Sequence, residues 1–297
     1  MRQISKIFSI LSLFLILTAV VYSHTSTPID ISIDRSGVLL KGKFYVTNGT
    51  GTFPTVILLQ GFPGNEIDVL GIGKKLSEVG INALTFNYSG THQSQGKFNF
   101  ENTQKDIQAV FEFIHQSENI LKYKIDTTRI FLGGYSYGGG MALTYAATHQ
   151  KITSVFSISG TDHGEFMREY NRNPKMKQMI DDMFAKLSPP SGNIRFAKGG
   201  TPKEMAEMKI IESNPTYYLN RSAKLLANKD ILLIGGWDDV SVSLEHIILP
   251  LYRALKKEKA KNIQIVAFQD THAFRNSRAT LAQTIIEWLK NLSERIE

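Results

Sequence analysis

The chain has 297 residues and no cysteine, with 42% apolar and 21% charged residues and a formal net charge of +7. This composition is that of a globular protein with a full core, and it excludes a disordered chain, a disulfide scaffold, a thiolate metal site and a cysteine nucleophile. The densest positive run, residues 256–261, falls where a helix should end, which favours contact with the helix dipole over a nucleic-acid-binding patch.

The first 23 residues are typical of an export signal. Arg2 and Lys6 precede an almost wholly apolar stretch over residues 7–22, and small side chains near Ser23 provide a cleavage site. The apolar stretch is shorter than the about 20 residues of a spanning helix. We therefore expect residues 1–23 to be a cleaved signal, with an uncleaved membrane anchor as the alternative. The mature chain is expected to be periplasmic or extracellular.

Residues 24–297 are predicted to form one α/β domain. Residues 29–46 alternate apolar and polar side chains around a turn at 35–37, which indicates an antiparallel hairpin. From residue 55 onward, apolar strands alternate with amphipathic helices, which predicts a mostly parallel central sheet covered by helices on both faces. Strands are predicted at 55–59, 82–86, 129–133, 154–159, 230–234 and 262–268, and helices at 68–79, 102–117, 141–147 and 275–292.

The alternation stops over residues 162–228, which predicts a helical cap insertion folded over the working edge of the sheet. Six of the eight methionines lie here, at positions 167, 176, 179, 183, 205 and 208. Methionine fills irregular cores and also forms adaptable binding surfaces. We expect these side chains to be mainly core, although a lid could use them for both purposes.

Ser136 lies at the centre of the most informative motif, Gly-Tyr-Ser-Tyr-Gly at 134–138. An apolar strand precedes the motif and a small-residue helix follows it. A serine on such a strained strand-to-helix turn needs small neighbours, and the turn would raise its hydroxyl above the C-terminal edge of the sheet. The pattern predicts a nucleophilic serine.

A serine nucleophile needs a base and an acid that orients the base. His272 follows the last predicted strand and is the expected base. Either Asp238 or Asp239, after the preceding strand, could orient it, and we favour Asp239; Asp238 is then a possible pocket residue. Asp270 is too close to His272 in sequence for this role. His163 follows a strand end and either lines the pocket or lies on an exposed loop.

Acyl transfer also needs N–H donors directed at the developing oxyanion. The backbone N–H of Tyr137, directly after the serine, should be one donor. The other is expected from the loop at residues 60–65, where two glycines and a proline allow a tight turn and Phe62 would supply its N–H. The alternative is that residues 60–65 form a plain tight turn.

Several of these motifs together resemble the α/β-hydrolase superfamily, in the branch of dienelactone hydrolases and prolyl oligopeptidase catalytic domains. The resemblance implies Ser136 as nucleophile, His272 as base and Asp239 as orienting acid. Gln60 stands where many relatives have histidine, and Ser89 where an arginine is common. The matching pieces are Gln-Gly-Phe-Pro-Gly at 60–64, Asn-Tyr-Ser-Gly-Thr at 87–91, Gly-Lys-Phe at 96–98, Gly-Tyr-Ser-Tyr-Gly-Gly at 134–139, Gly-Trp-Asp-Asp at 236–239 and His-Ala-Phe at 272–274.

The expected function is that of a serine hydrolase acting through an acyl-enzyme, with a carboxylic ester as the favoured substrate. A serine exopeptidase is the nearest alternative, and a non-catalytic binding protein on the same fold is a further one. No cofactor and no metal are expected, because no histidine pair has ligand spacing on a helix and no phosphate-binding loop is evident. The expected partner is a small ester or peptide, not a nucleic acid, and a membrane only if the N-terminal segment stays attached.

Overall fold

The computed structural model describes residues 27–64 and 68–296, so the predicted signal at 1–23 lies outside the described residues. Within them, eight strands form one sheet in the order β1-β2-β4-β3-β5-β6-β7-β8. The strands are β1 (Ile29–Arg35), β2 (Val38–Tyr45), β3 (Phe53–Leu59), β4 (Asn82–Phe86), β5 (Ile125–Tyr135), β6 (Ser154–Ile158), β7 (Asp230–Gly236) and β8 (Ile263–Phe268).

The sheet is parallel from β4 to β8, and the two strands of the hairpin are antiparallel. β1 pairs with β2 over its whole length, and β2 pairs antiparallel with β4. The other neighbouring pairs are parallel. The predicted hairpin and the mostly parallel sheet are therefore confirmed.

Helices connect the parallel strands, and each of the four helices predicted with a residue range has a counterpart among them. They are α1 (Ile72–Glu78), α2 (Phe100–Ile114), α3 (Ser117–Tyr123), α4 (Tyr137–Thr148), α5 (His163–Arg172), α6 (Pro174–Leu187), α7 (Pro202–Glu207), α8 (Ile210–Ser213), α9 (Ala223–Leu226), α10 (Leu249–Lys257) and α11 (Arg278–Ile296). A 3₁₀ turn at Pro215–Tyr217 and a π-helical turn at Leu244–Ile248 complete the set.

Several predicted helix boundaries were wrong; the helix predicted from residue 141, for example, begins at Tyr137. The helix predicted over 102–117 ends at Ile114, and the separate α3 follows it. The helix predicted from residue 68 begins at Ile72, because Asp68 accepts hydrogen bonds from the backbone N–H groups of Gly73 and Lys74. The last helix begins at Arg278 rather than 275, because Asp270 accepts hydrogen bonds from the backbone N–H groups of Asn276 and Ser277 and fixes a turn there.

Alternate residues of the central strands point to opposite faces, and each face carries its own core. On β3, Ile57 and Leu59 belong to the core that α2 and α4 cover, whereas Val56 and Leu58 belong to the core beneath α1 and α11. All four side chains are fully buried. Burial on both faces explains why the strands are continuously apolar in sequence.

The stretch between β6 and β7 carries α5 to α9, which confirms its helical character. Met167 and Met205 are buried, but Met179, Met183 and Met208 are exposed. That this insertion acts as a lid stays a prediction. Among the described helices, none combines the length and the apolarity that a membrane crossing requires.

Candidate active site

Ser136 lies on a sharp turn between β5 and α4 at the C-terminal edge of the sheet. Its backbone has φ 54° and ψ −119°, a left-handed φ that a residue with a side chain rarely adopts. Its N–H donates to the carbonyl of Ile158 on β6 at 2.8 Å, and its carbonyl accepts from the N–H groups of Gly140 and Thr161 at 3.1 and 3.0 Å. These bonds to β6 and α4 hold the strained turn in place.

Two glycines allow this turn, as the sequence predicted. A Cβ atom on Gly134 would lie 2.5 Å from the backbone of Gly138. A Cβ atom on Gly138 would lie 2.6 and 2.5 Å from the carbonyl oxygens of Leu59 and Gln60. Because those neighbours are backbone atoms, α4 could not approach the end of β3 with larger residues here.

The structure brings together the three residues predicted to form the catalytic group. His272 Nε2 lies 2.9 Å from the Ser136 hydroxyl, and His272 Nδ1 lies 2.7 Å from an Asp239 carboxylate oxygen. A carboxylate can only accept, so Nδ1 carries the proton and Nε2 is left to accept the hydrogen of the serine. This is the geometry in which an imidazole can act as a general base toward a serine.

Asp239 is the carboxylate that meets His272. Its second oxygen accepts from the backbone N–H groups of Ser241 and Val242 at 2.9 and 2.8 Å. Burial opposes its ionisation, but the hydrogen bonds from His272 and Val242 outweigh burial and hold the pKa of Asp239 below its ordinary value. The group is therefore a carboxylate at neutral pH, as an orienting acid requires.

Asp238 and Asp270 lie close in sequence to Asp239 and His272 but serve other purposes. Asp238 is exposed and accepts from the Gln269 amide at 2.8 Å. Asp270 is buried and accepts from the backbone N–H groups of Asn276 and Ser277, both at 2.9 Å, which fixes the loop before α11. Neither contacts His272, and Asp238 is not among the described residues that line the cleft described below.

Tyr135, next to the serine, supports the histidine loop. Its hydroxyl donates to the backbone carbonyl of His272 at 3.0 Å, and the two rings lie 5.0 Å apart. Burial, together with the charge of Asp239, raises the pKa of Tyr135 to about 12. The phenol therefore stays protonated and remains a donor. Sequence reasoning missed this role, although the residue lies within the serine motif.

The loop predicted to complete the oxyanion site lies directly against Ser136. A Cβ atom on Gly61 would be 3.4 Å from Cβ of Ser136. The fully buried Tyr88 donates a hydrogen bond of 2.6 Å to the carbonyl of Gln60, the first residue of this loop. Tyr137 follows the serine in the chain, and Phe62 lines the same cleft as the serine. Their oxyanion roles stay predictions.

A cleft of about 210 Å³ opens beside the serine. Its walls come from the loop after β3, the approach to α1 and the two catalytic-site loops. The described residues that line it are Gln60, Gly61, Phe62, Gly64, Asp68, Val69, Leu70, Tyr135, Ser136 and His272.

The other side of Phe62 contacts an aromatic cluster that joins the insertion to the site. Its ring stacks on Phe184 of α6, with centroids 5.3 Å apart and planes within 9°. It also contacts Phe98 and Tyr137, at 4.9 and 5.9 Å between centroids. Helix α6 is thus packed on the predicted oxyanion loop.

His163 does not line this cleft. It is 2% exposed and packs against Phe100, Tyr137 and Tyr217, because it is the first residue of α5 and the helix turns its ring back onto α4. Burial lowers its pKa to about 3, so the ring is neutral. The two positions predicted for His163, in the pocket or on an exposed loop, were therefore both wrong. His163 is part of the core.

Within residues 27–64 and 68–296, no group of three or more histidine and acidic side chains is placed to hold a metal ion. The chemistry available at the cleft is that of a serine, an imidazole, a carboxylate and backbone N–H groups.

Residues 54–198 match the family model described as alpha/beta hydrolase fold. The chain is 30% identical to a proline iminopeptidase of Thermoplasma volcanium over 105 residues, which cover 35% of this chain and 34% of that protein. The match thus spans about a third of the length of this curated relative.

Two solved structures with the same fold cover most of this chain. Est1E from Butyrivibrio proteoclasticus, with ferulic acid bound, superposes with a TM-score of 0.61 at 18% identity, covering 88% of this chain and 98% of that one. The acylaminoacyl peptidase of Pyrococcus horikoshii gives a TM-score of 0.61 at 16% identity, covering 90% of this chain and 42% of that one.

The sheet order and the serine turn define the class of an α/β-hydrolase fold. The chain has the fold that the family model and these solved structures share. Its place in the branch of dienelactone hydrolases and prolyl oligopeptidases stays a prediction.

Proposed function

We propose that the protein is a serine hydrolase that cleaves carboxylic esters through an acyl-enzyme. The observation that carries the proposal is the continuous hydrogen-bonded series from Ser136 through His272 to Asp239, with distances of 2.9 and 2.7 Å. The series opens onto a cleft large enough for a small acyl group.

In the proposed reaction, His272 Nε2 takes the hydroxyl proton as the Ser136 oxygen attacks the ester carbonyl. Asp239 stabilises the resulting imidazolium. The N–H groups of Tyr137 and Phe62 would stabilise the oxyanion, each contributing about 2.7–4 kcal/mol in comparable sites. The imidazolium then protonates the leaving alcohol, and a water activated by the same ring hydrolyses the acyl-enzyme.

The part of the cleft lining that the structure describes includes one acidic side chain that could bind the amino terminus of a peptide, and this side chain is already hydrogen-bonded. An aminopeptidase needs an available carboxylate to bind the substrate ammonium group. Of the described lining residues, Asp68 is the acidic one, and its oxygens already accept from the backbone N–H groups of Val69, Gly73 and Lys74.

An exopeptidase is the second candidate, because the relative at 30% identity is a proline iminopeptidase. A panel of p-nitrophenyl esters of rising chain length and aminoacyl p-nitroanilides separates the two. We expect turnover of short esters and little of the anilides. Turnover of the anilides alone would reverse this order.

A fluorophosphonate probe tests whether the site is catalytic at all. We expect labelling of the folded chain that Ser136→Ala abolishes, with a loss of ester hydrolysis of at least about 10⁴-fold. Ser213→Ala, at an exposed position on α8, is the matched control and should label normally. Folded protein that resists the probe would favour the binding-protein alternative.

We also propose that residues 1–23 are an export signal and that residues 24–297 form the mature hydrolase. The basic start and the apolar stretch that follows it support this proposal. Intact mass measurement of protein recovered outside the cytoplasm should give a chain beginning at His24. A chain that keeps residue 1 and sediments with membranes would show an anchor instead.

A further inference from the structure

A polar groove of about 550 Å³ lies at the N-terminal edge of the sheet, opposite the serine cleft. Three connections build it: the one between α4 and β6, the one between α9 and β7, and the one between α10 and β8. We call it the lysine groove. Its lining residues are Gln150, Lys224, Leu225, Ala227, Asn228, Lys229, Glu258, Lys259, Lys261 and Asn262.

The lysine groove carries a surplus of positive charge. Lys224, Lys259 and Lys261 are exposed, and none forms an ion pair with an acidic side chain of the described residues. Glu258 is the one acidic residue of the lining. Exposed lysines at positions 151, 256 and 257 extend the same surface, and they too are unpaired within the described chain.

Lys229 is different, because it is 4% exposed and belongs to the floor of the groove. Its ammonium group donates to the backbone carbonyls of Ile152 and His149, at 2.5 and 3.3 Å. This buried lysine ties the connection before β7 to the connection before β6. The two walls that bear the exposed lysines are thereby held together.

The remaining lining residues indicate the kind of anion that fits. Leu225 lines the same groove as the lysines and has 51% of its surface exposed. The lining contains no arginine to form bidentate phosphate contacts and no aromatic ring on which a base could stack. Flexible lysine charges around an exposed leucine suit a charged surface with an apolar layer beneath it.

The direction of β1 places the start of the described chain at the same edge. β1 is antiparallel to β2, and β2 is antiparallel to β4, so β1 runs parallel to the central strands. The first described residue, 27, therefore leads into the sheet at its N-terminal edge, as the strands that bound the lysine groove do.

We propose that the lysine groove docks on the surface of a bilayer rich in anionic phospholipid. The lysines contact the headgroup phosphates and Leu225 inserts at the boundary of the acyl chains. The serine cleft lies at the other edge of the sheet and would face away from the bilayer. This inference does not depend on the reaction that the cleft performs.

The absence of cysteine makes a site-specific test possible. In the mature chain, residues 24–297, Leu225→Cys is labelled with an environment-sensitive fluorophore and mixed with phosphatidylcholine vesicles with or without phosphatidylglycerol. We expect a blue shift only with phosphatidylglycerol, and its loss near 1 M salt, where the Debye length is about 3 Å. The same label at Met183→Cys, on the insertion, should not shift.

Charge removal provides the second arm. Each lysine near an anionic surface contributes a factor of about 5 to binding. The triple variant Lys224→Gln/Lys259→Gln/Lys261→Gln should therefore bind anionic vesicles about 100-fold more weakly, as measured by titrating the fluorescence shift with lipid. Lys175→Gln/Lys186→Gln/Lys198→Gln makes the same charge change at exposed positions of the insertion and should leave it within about twofold. Circular dichroism checks that both triple variants fold.

Four results would overturn the proposal. They are no shift with either vesicle, an equal shift with both, an equal loss in the two triple variants, and a shift with a DNA duplex but not with anionic vesicles. The second would show apolar insertion without headgroup recognition, the third a net-charge effect, and the fourth a nucleic-acid site.

Discussion

Two tyrosines hold the backbone on either side of the serine, and each does so through one hydrogen bond to a carbonyl. Tyr135 binds the carbonyl of His272, and Tyr88 binds that of Gln60. Tyr88 is fully buried and also packs edge-on against Tyr137, with centroids 5.4 Å apart. It therefore contacts both segments that are predicted to supply oxyanion donors.

Tyr88→Phe should lower kcat on the best ester about fivefold and leave KM nearly unchanged. The change removes one buried hydrogen bond, worth about 1 kcal/mol, and releases the carbonyl that fixes the loop carrying Phe62. Steady-state kinetics of the wild type and the variant at one pH measure kcat and KM.

Tyr145→Phe is the matched control, because its hydroxyl donates at 2.5 Å to Gln108 on α2, away from the cleft. The control should keep kcat within about twofold while losing comparable stability. Equal effects of the two substitutions on kcat would contradict a positioning role for Tyr88.

At the scale of elements, one residue closes the insertion on itself and another connects it to the cleft. Asp162, four residues after the end of β6, caps α5 through the N–H of Glu165 and accepts from the N–H of Leu219, both at 3.0 Å. Phe184 of α6 stacks on Phe62 in the loop beside the cleft. The insertion is thus closed on itself by Asp162 and connected to the cleft through the Phe184 ring.

Phe184→Ala should reduce both stability and activity. Loss of a half-buried ring and its stacked partner costs about 2 kcal/mol, and the Phe62 loop loses its outer support. Urea unfolding and ester kinetics measure the two effects. Met179→Ala, on the same helix but 62% exposed, should change neither. A Phe184→Ala variant with unaltered kcat would separate the insertion from the chemistry.

Asp162→Asn should change how stability depends on pH. Burial, with a smaller contribution from the Glu165 charge, raises the pKa of Asp162 to about 6. In the unfolded chain this pKa is about 3.9, so folding takes up a proton between those values. This group therefore favours the folded state at pH 5 more than at pH 7, by about 1 kcal/mol.

The test compares urea unfolding of the wild type and Asp162→Asn at both pH values. The wild type should gain about 1 kcal/mol relative to the variant on going from about pH 7 to about pH 5. Asp182→Asn, on the exposed surface of α6, keeps Asp162 and should therefore gain stability between the two pH values as the wild type does. An unchanged difference for Asp162→Asn would contradict a raised pKa.

At the scale of the whole molecule, both cores depend on the same strands. Leu143 of α4 is buried in the core on one face, and Leu289 of α11 is buried in the core on the other. Because neighbouring residues of each strand serve opposite faces, neither core can separate without exposing the other.

Leu143→Ala and Leu289→Ala should each lower the free energy of unfolding by about 3 kcal/mol within one cooperative transition. Tryptophan fluorescence, to which the buried Trp288 contributes, and loss of ester hydrolysis should give the same midpoint. Leu225→Ala, at an exposed position, should change stability by less than about 0.5 kcal/mol. Two separated midpoints in either core variant would show independent faces.

Much of this architecture could be predicted because strand and helix periods are local signals. The strand at 82–86 was predicted residue for residue, and the serine turn followed from its glycines. The boundaries that side-chain caps determine, such as those at Asp68 and Asp270, could not be read from periodicity. His163 was misplaced because nothing local shows which way the first turn of α5 faces.

The lysine groove and the support from Tyr88 depend on tertiary proximity. Lys224 and Lys261 are far apart in sequence, and the direct pairing of β7 with β8 brings their connections together. Tyr88 and Gln60 meet because β3 and β4 are neighbours in the sheet. Such pairs require the strand order, which the sequence pattern alone did not provide.

Among the described strands, β1 of the hairpin is an edge strand of the sheet, and an ion pair connects it to α2. Arg35 at the end of β1 lies 2.7 Å from the fully buried carboxylate of Asp106 on α2, which also accepts from the Ser89 hydroxyl at 2.6 Å. Ser89 stands at a position where the sequence resemblance led us to expect an arginine. Arg35 brings a guanidinium to this position from β1 instead. Detaching β1 would leave a buried negative charge without its partner, a loss of about 3–5 kcal/mol. Opening this strand, the first step of its exchange between two molecules, therefore has an electrostatic cost as well as the cost of lost strand pairing, although a swapped dimer would re-form the ion pair.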